Sequence, residues 1–282
     1  MLQSTDIVLI TGAGSGMGKL AAERAASKGE NVVGFDLNAK SLMDLESRYD
    51  NIKTFVVDIT DFESVEKTTA LIVKNQGNIK KVINCAGIMP LGTLNSQHPS
   101  EYKKIMDVNY LGTVNINMAV LANMRDNKQG EIVNFASIAG LTPSISFGAY
   151  CAAKFAVVAF SEVLHHENQS YGIKVCCVCP PPVNTPLLRG AINRPKSLEL
   201  SPAVEPDFVL NAMEKSLAKG HWLCLPGWQA KLIYRARRLV PDLLWRAIHL
   251  VEGKSFDHLS KPSTQRPKDS KTSYNTPSRN VK

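Results

Sequence analysis

Apolar runs of strand length alternate along the chain with stretches whose apolar residues recur at helical spacing. The runs Asp6–Thr11, Asn31–Asp36, Ile52–Val57, Lys80–Asn84, Glu131–Ala136, Ile173–Cys179 and His221–Leu225 are predicted strands. Between them Gly16–Ser27, Ser41–Tyr49, Phe62–Asn75, Glu101–Met124, Ala149–Gln169 and Glu205–Lys219 are amphipathic and predicted helical. Parallel strands need a crossover long enough to hold a helix, so this alternation implies a parallel α/β sheet, doubly wound, with helices on both faces. IVLI, NVVGF and IKVCCV are apolar without a break, as strands covered on both faces are.

The alternation stops near residue 226. Beyond it, Leu232, Ile233, Ala236, Leu239, Val240, Leu243, Leu244, Ala247, Ile248 and Val251 recur at helical spacing, with Lys231, Arg235, Arg238 and Arg246 mostly off that stripe. Pro241 is expected to kink or split this helix. From about Gly253 Ser, Thr, Lys, Pro and Asn dominate, which reads as a disordered tail. The expected organisation is a domain over 1–227, a basic amphipathic helical appendage over 228–252 and a basic tail over 253–282.

Charge follows the same division. Of 33 basic and 25 acidic residues, twelve and four fall in 229–282, so the body is neutral and the whole excess of +8 sits in the appendage and tail. An apolar stripe beside arginines, with Trp228, Tyr234 and Trp245, suits an interfacial helix on an anionic membrane; packing on the body or on another subunit is the competing reading. Nucleic acid is a poor partner, because the tail carries only Phe256 and Tyr274 as stacking platforms. No run of 18 apolar residues reads as a membrane span, and MLQSTDIVLITGAG lacks the basic start of a signal peptide. A cytoplasmic protein, peripheral at a membrane surface if the appendage binds lipid, is expected. The six cysteines (Cys85, Cys151, Cys176, Cys177, Cys179, Cys224) have no CxxC spacing and no paired histidines, so they read as reduced thiols packed in the core, and no metal site is expected.

TGAGSGMG, Thr11–Gly18, follows the first strand and opens the first helix. Glycines there allow a tight turn and close backbone approach to a pyrophosphate, and the helix N-terminus supplies amide donors. Asp36 ends the second strand, where a carboxylate accepts ribose hydroxyls and repels a 2′-phosphate, which predicts NAD over NADP. Lys19 is either a phosphate contact or a helix-surface residue. Asp58, after the third strand, is either an adenine contact or a turn cap.

Tyr150 and Lys154 stand four apart at the head of a predicted helix and share one face. An ammonium beside a phenol favours the phenolate, so a lowered tyrosine pKa suited to acid/base work near neutrality is expected. Ser137, thirteen residues upstream of Tyr150 at a strand end, is placed to hold a substrate oxygen.

With these motifs the chain resembles the short-chain dehydrogenase/reductase family over about residues 5–226. Gly12, Gly16 and Gly18 match its TGxxxGxG loop, and NCAG at Asn84–Gly87 resembles its NNAG motif. Asn109 matches its helix asparagine, and Ser137, Tyr150 and Lys154 match its catalytic positions. The resemblance implies a Rossmann-type, seven-stranded parallel sheet, a nicotinamide cofactor and hydride transfer at an alcohol carbon. Tyr150 is then the acid/base, Lys154 binds the nicotinamide ribose and tunes the tyrosine, Ser137 orients the substrate, and Asn109 holds a water in a proton relay. It also implies cofactor contacts from Ser15, Met17, Ile59, Asn84, Ala86, Gly87, Pro180, Val183 and Thr185, and a homodimer or tetramer paired through the long helices after the fourth and fifth strands. Two departures stand out: Cys85 replaces the second Asn of NNAG, and CPPPVNTP carries Pro181 where the family has Gly, stiffening that turn.

Segments expected to line the substrate supply Ile88, Met89, Leu91, Leu141, Pro143, Ile145, Phe147, Leu187 and Leu188, with Arg189 and Arg194 as the nearby cations. Met89, Leu141, Phe147 and Leu187 are the candidate contacts, and a steroid, retinoid or long-chain lipid alcohol or ketone is expected. The alternatives are an NADPH-dependent lipid-ketone reductase, since PPPVNTP is similar to a stretch of ketosphinganine reductases, and a non-catalytic cofactor-sensing interaction protein.

Overall fold

The computed structural model describes residues 6–253; the expected tail lies, from residue 254 on, outside the described residues. The strands are β1 Ile7–Thr11, β2 Asn31–Asp36, β3 Ile52–Val56, β4 Ile79–Asn84, β5 Gly130–Phe135, β6 Ile173–Val178 and β7 Leu223–Cys224. The helices are α1 Gly16–Ser27, α2 Ala39–Ser47, α3 Phe62–Gln76, α4 Pro99–Met106, α5 Gly112–Asp126, α6 Gly148–Asn168, α7 Pro186–Arg189, α8 Lys196–Glu199, α9 Pro206–Ala218, α10 Gly227–Leu239 and α11 Pro241–Glu252. The strands form one seven-stranded sheet in the order β3-β2-β1-β4-β5-β6-β7, and every neighbouring pair is parallel.

Strand alternation divides the core into two layers. Val8 and Ile10 of β1 face one side with Ala21, Ala22 and Ala25 of α1, Leu42 and Leu45 of α2, and Val209 and Met213 of α9. Ile7 and Leu9 face the other, against Val65 and Ile72 of α3, Ile116 and Val120 of α5, and Leu164 of α6. The order of strands reverses between β1 and β4, which opens a crevice at their C-terminal ends.

The chain departs from its sequence pattern in three places. The stretch expected as one helix over 101–124 is α4 and α5 joined by a π turn at Asp107–Leu111. β7 spans two residues, because the strand is at the sheet edge and Pro226 comes two residues after its end. The third is a pair of four-residue helices, α7 and α8, in the segment between β6 and α9, whereas the appendage is split at Pro241 into α10 and α11 as its sequence predicts.

Candidate active site

β1 turns into α1 through the glycine loop. Gly12 and Gly16 adopt φ of 70° and 52°, a left-handed conformation that favours glycine. A Cβ on Gly12 would lie 2.9 Å from the Ala86 backbone nitrogen, and one on Gly18 would lie 2.2 Å from the Gly12 carbonyl oxygen. Ser15 stands at the N-cap of α1, yet no side chain caps the helix and no acidic residue stands in its first turn. Its amide-bearing end is therefore open to an anion, and Thr185 stands across the groove, 3.6 Å from where a Gly16 Cβ would be. This cradle fits a pyrophosphate.

Asp36 is fixed beside it: one carboxylate oxygen accepts the Gly14 N–H and the other the Asn38 N–H, both at 2.9 Å. Gly12, Ser15, Gly16, Met17, Gly18, Asp36, Asp58, Ile59, Ala86, Gly87 and Thr185 all line this groove, with Cys85. Asp58 also caps a turn, its Oδ1 accepting the Thr60 N–H at 2.9 Å and hydroxyl at 2.8 Å. Lys19 does not line the groove; it pairs with Asp44 at 3.1 Å.

Asn84, expected at the cofactor, is turned into the sheet instead. Its Nδ2 donates to Asn134 Oδ1 at 2.9 Å, Asn117 donates to the same oxygen at 3.1 Å, and Asn134 donates to Ser161 Oγ at 3.0 Å. This buried ladder satisfies polar groups that would otherwise be costly. It fixes the start of the NCAG turn, where the Ala86 N–H donates to Thr11 Oγ1 at 3.2 Å.

Ser137 follows β5, and its Oγ accepts the Ala139 N–H at 3.1 Å while standing in hydrogen-bonding range of the Tyr150 phenol. Tyr150 lies in the first turn of α6, and Lys154 one turn later. The Lys154 Nζ is 5.7 Å from the Tyr150 ring centre and donates to the Phe135 carbonyl at 2.8 Å. In the π turn, Asn109 clamps Ile88, accepting its N–H at 2.8 Å and donating to its carbonyl at 2.9 Å. Gly87 separates the two, since a Cβ there would lie 2.8 Å from Asn109 Oδ1 and 3.7 Å from Lys154 Nζ.

The pKa pattern corrects the sequence expectation. Burial pushes the Tyr150 phenol up, opposed by its hydrogen bond with Ser137, and pushes Lys154 down to about 8. Desolvation disfavours both charged forms, and here it exceeds what an ammonium beside the ring does for the phenolate.

Ser137, Tyr150, Lys154 and Asn109 all line one cavity of about 250 Å³ that shares Met17, Cys85, Thr185 and Leu187 with the dinucleotide groove. Pro180, Val183, Met89, Phe147 and Leu187 line it too. Leu141 does not; it packs in the cluster of Ala136 and Val157 behind the site. Arg189 and Arg194 also stand outside the lining and brace their own loop, on Asn184 Oδ1 at 2.6 Å and the Arg189 carbonyl at 2.8 Å.

Sequence reading missed the far wall: Ser197, Leu198 and Ser201 from the loop after β6, and Ile233, Leu244 and Ile248 from α10 and α11. That loop is pinned at its base by the Val183–Val204 bridge. The buried carboxylate of Glu252 accepts the Lys196 and Ser197 N–H groups at 3.0 and 2.9 Å. The apolar stripe of the appendage was the available signal; what it packs on was not.

The chain is similar to known proteins. Residues 6–195 match the family model described as short chain dehydrogenase. A 3-ketodihydrosphingosine reductase from Bacteroides thetaiotaomicron is 36% identical over 179 residues, which cover 64% of this chain and 64% of that one. Human estradiol 17-beta-dehydrogenase 11 is 34% identical over 215 residues, covering 74% of this chain and 70% of that one. A solved short-chain dehydrogenase from Streptomyces avermitilis superposes with a TM-score of 0.76 at 25% identity, over 92% of this chain and 99% of that one. The glycine cradle, the parallel sheet and the Ser137–Tyr150–Lys154 cluster thus lead to one conclusion: the chain belongs to the short chain dehydrogenase family, whose members use NAD or NADP.

Proposed function

We propose that the protein is an NAD-dependent oxidoreductase that interconverts an alcohol and its carbonyl on a steroid-, retinoid- or lipid-like substrate. The observation that carries this reading is the cavity itself: Ser137, Tyr150 and Lys154 meet in a lining whose single charged side chain among the described residues is Lys154. A substrate bearing a carboxylate or phosphate finds no arginine there, whereas an apolar body finds Met89, Phe147, Leu187, Leu198, Ile233 and Ile248. The relatives named for 3-ketodihydrosphingosine and estradiol agree with that class.

When bound, the nicotinamide supplies or accepts the hydride. Tyr150 moves the proton. Its buried, neutral phenol is the form that gives a proton to a carbonyl oxygen. Taking a proton from an alcohol requires the phenolate, which the Lys154 ammonium is the nearby charge to favour. Ser137 holds the reacting oxygen next to the phenol, and the Asn109–Ile88 clamp keeps the Gly87–Ile88 backbone in place beside Lys154.

Asp36 supports NAD. Its carboxylate is held at the groove by two amide donors, uncharged Leu37 and Asn38 follow it, and Lys19 is already engaged by Asp44. Exposed Leu111, Met118, Phe155 and Val163 on and beside α5 and α6 support a homo-oligomer paired through those helices. The purified protein, given NAD or NADP with a panel of steroid, retinoid and long-chain alcohols, is expected to form NADH with at least one of them. Turnover with NADP alone would favour the lipid-ketone reductase reading, and tight NADH binding with silence across the panel would overturn the substrate class.

A further inference from the structure

The appendage has two faces. Inward, Ile233 of α10 and Leu244 and Ile248 of α11 wall the catalytic cavity, and Ala230 is buried against the body. Outward, Trp228, Leu239, Leu243 and Leu250 are 69, 78, 63 and 85% exposed, and Leu232 and Val240 are exposed with them. Large apolar side chains gathered this way on a surface mark a contact site.

The same outer face is cationic. Lys231, Arg235 and Arg238 alternate with Trp228, Leu232 and Leu239 along α10, and Arg246 lies between Leu243 and Leu250 on α11. Among the described residues none of these four makes an ion pair, and Asp242 is the one exposed acid of the two helices. A second copy of the chain would bring like charges together across a two-fold axis. An anionic lipid surface takes both components, apolar side chains below its headgroups and cations among them. No described helix is long and apolar enough to cross a membrane, so contact is through this face rather than by a span.

We propose that the outer face of α10 and α11 docks on an anionic lipid bilayer, which sets the roof of the catalytic cavity against the membrane. Docking is read without turnover, so it stands apart from the substrate assignment, although a lipid-like substrate would gain a direct route from it.

The test is vesicle flotation of the full chain with phosphatidylcholine alone and with added phosphatidylserine. The comparisons are a variant carrying Leu239→Ser, Leu243→Ser and Leu250→Ser, a variant carrying Arg235→Glu and Arg246→Glu, and a chain ending at Gly253. Binding is expected to the serine-lipid vesicles, to fall at least tenfold in either substitution variant, and to weaken with salt. The shortened chain is expected to lose less than either. Thermal unfolding checks that the variants fold, and turnover of a short water-soluble alcohol is expected to be unchanged in the leucine variant. Unaltered flotation of the leucine variant, no flotation of the wild type, or a larger loss in the shortened chain would overturn the proposal. So would conversion of a dimer to a monomer by the leucine substitutions without vesicle binding, which would assign the face to a second copy.

Discussion

Glu252 accepts the Ser197 N–H at 2.9 Å, from a residue 55 positions away in the chain. A carboxylate ending α11 thereby holds the first turn of α8, whose Ser197 and Leu198 face the catalytic cavity. An acidic group is unfavourable at the C-terminus of its own helix and favourable at the N-terminus of another, so this contact ties the two elements into one cover. Replacing Glu252 by Ala removes two charge-assisted bonds, each worth about 1.5–3 kcal/mol. The expected outcome is faster amide exchange over residues 186–201 and a KM raised several-fold for a bulky substrate, with cofactor affinity unchanged.

Cofactor choice rests on Asp36. Asp36→Ala removes the charge facing a 2′-phosphate and frees the Gly14 and Asn38 amides. The ratio of kcat/KM for NADP over NAD is expected to rise roughly tenfold or more, or about 1.4 kcal/mol of discrimination. Steady-state kinetics with both cofactors at fixed substrate reads this directly.

Lys154 gives a pH signature. Its ammonium is disfavoured by burial, with a pKa lowered from 10.5 to about 8. Between those values the unfolded chain binds more protons than the folded one, so stability from this group rises with pH; below about 8 the cost of burying the charge is present in full. Wild type is therefore expected to gain on Lys154→Met as pH rises from about 8 towards 10.5, by up to about 3 kcal/mol. Groups that do not interact with Lys154 cancel in the difference between the two unfolding curves, which leaves Lys154 with the Cys85, Cys177 and Cys179 thiols near it.

Asn134 sits at the centre of the buried amide ladder, accepting from Asn84 and Asn117 and donating to Ser161. Asn134→Ala is expected to cost about 1–3 kcal/mol in urea unfolding, because donors buried with it lose their acceptor. Weaker cofactor binding should follow, since the ladder anchors the turn that carries Cys85–Gly87 to the groove.

What the sequence disclosed was local. The glycine loop, Asp36 and the Tyr150–Lys154 pair were legible because each depends on neighbours within a turn or at a strand end. Asn84 was misplaced because a motif letter does not say which face of β4 a side chain takes, and Leu141 because a loop residue packs wherever its turn aims it. The π turn at Asp107–Leu111 leaves the apolar period of the surrounding helices nearly intact, so it passed as one helix. α7 and α8, four residues each, have too few positions to show a period and are held by tertiary contacts such as Glu252. The fall in the tyrosine pKa expected from Lys154 failed because desolvation depends on packing depth, which a spacing does not contain.

Comparison of wild type with Tyr150→Phe tests the acid/base role of Tyr150 most directly. Both are titrated with NADH by fluorescence, and turnover of the best alcohol of the panel is followed by absorbance. NADH affinity is expected to be near-equal and kcat to fall about a hundredfold or more, in line with loss of a positioned acid/base. Turnover surviving in the variant would contradict that role and move the proton chemistry to another residue.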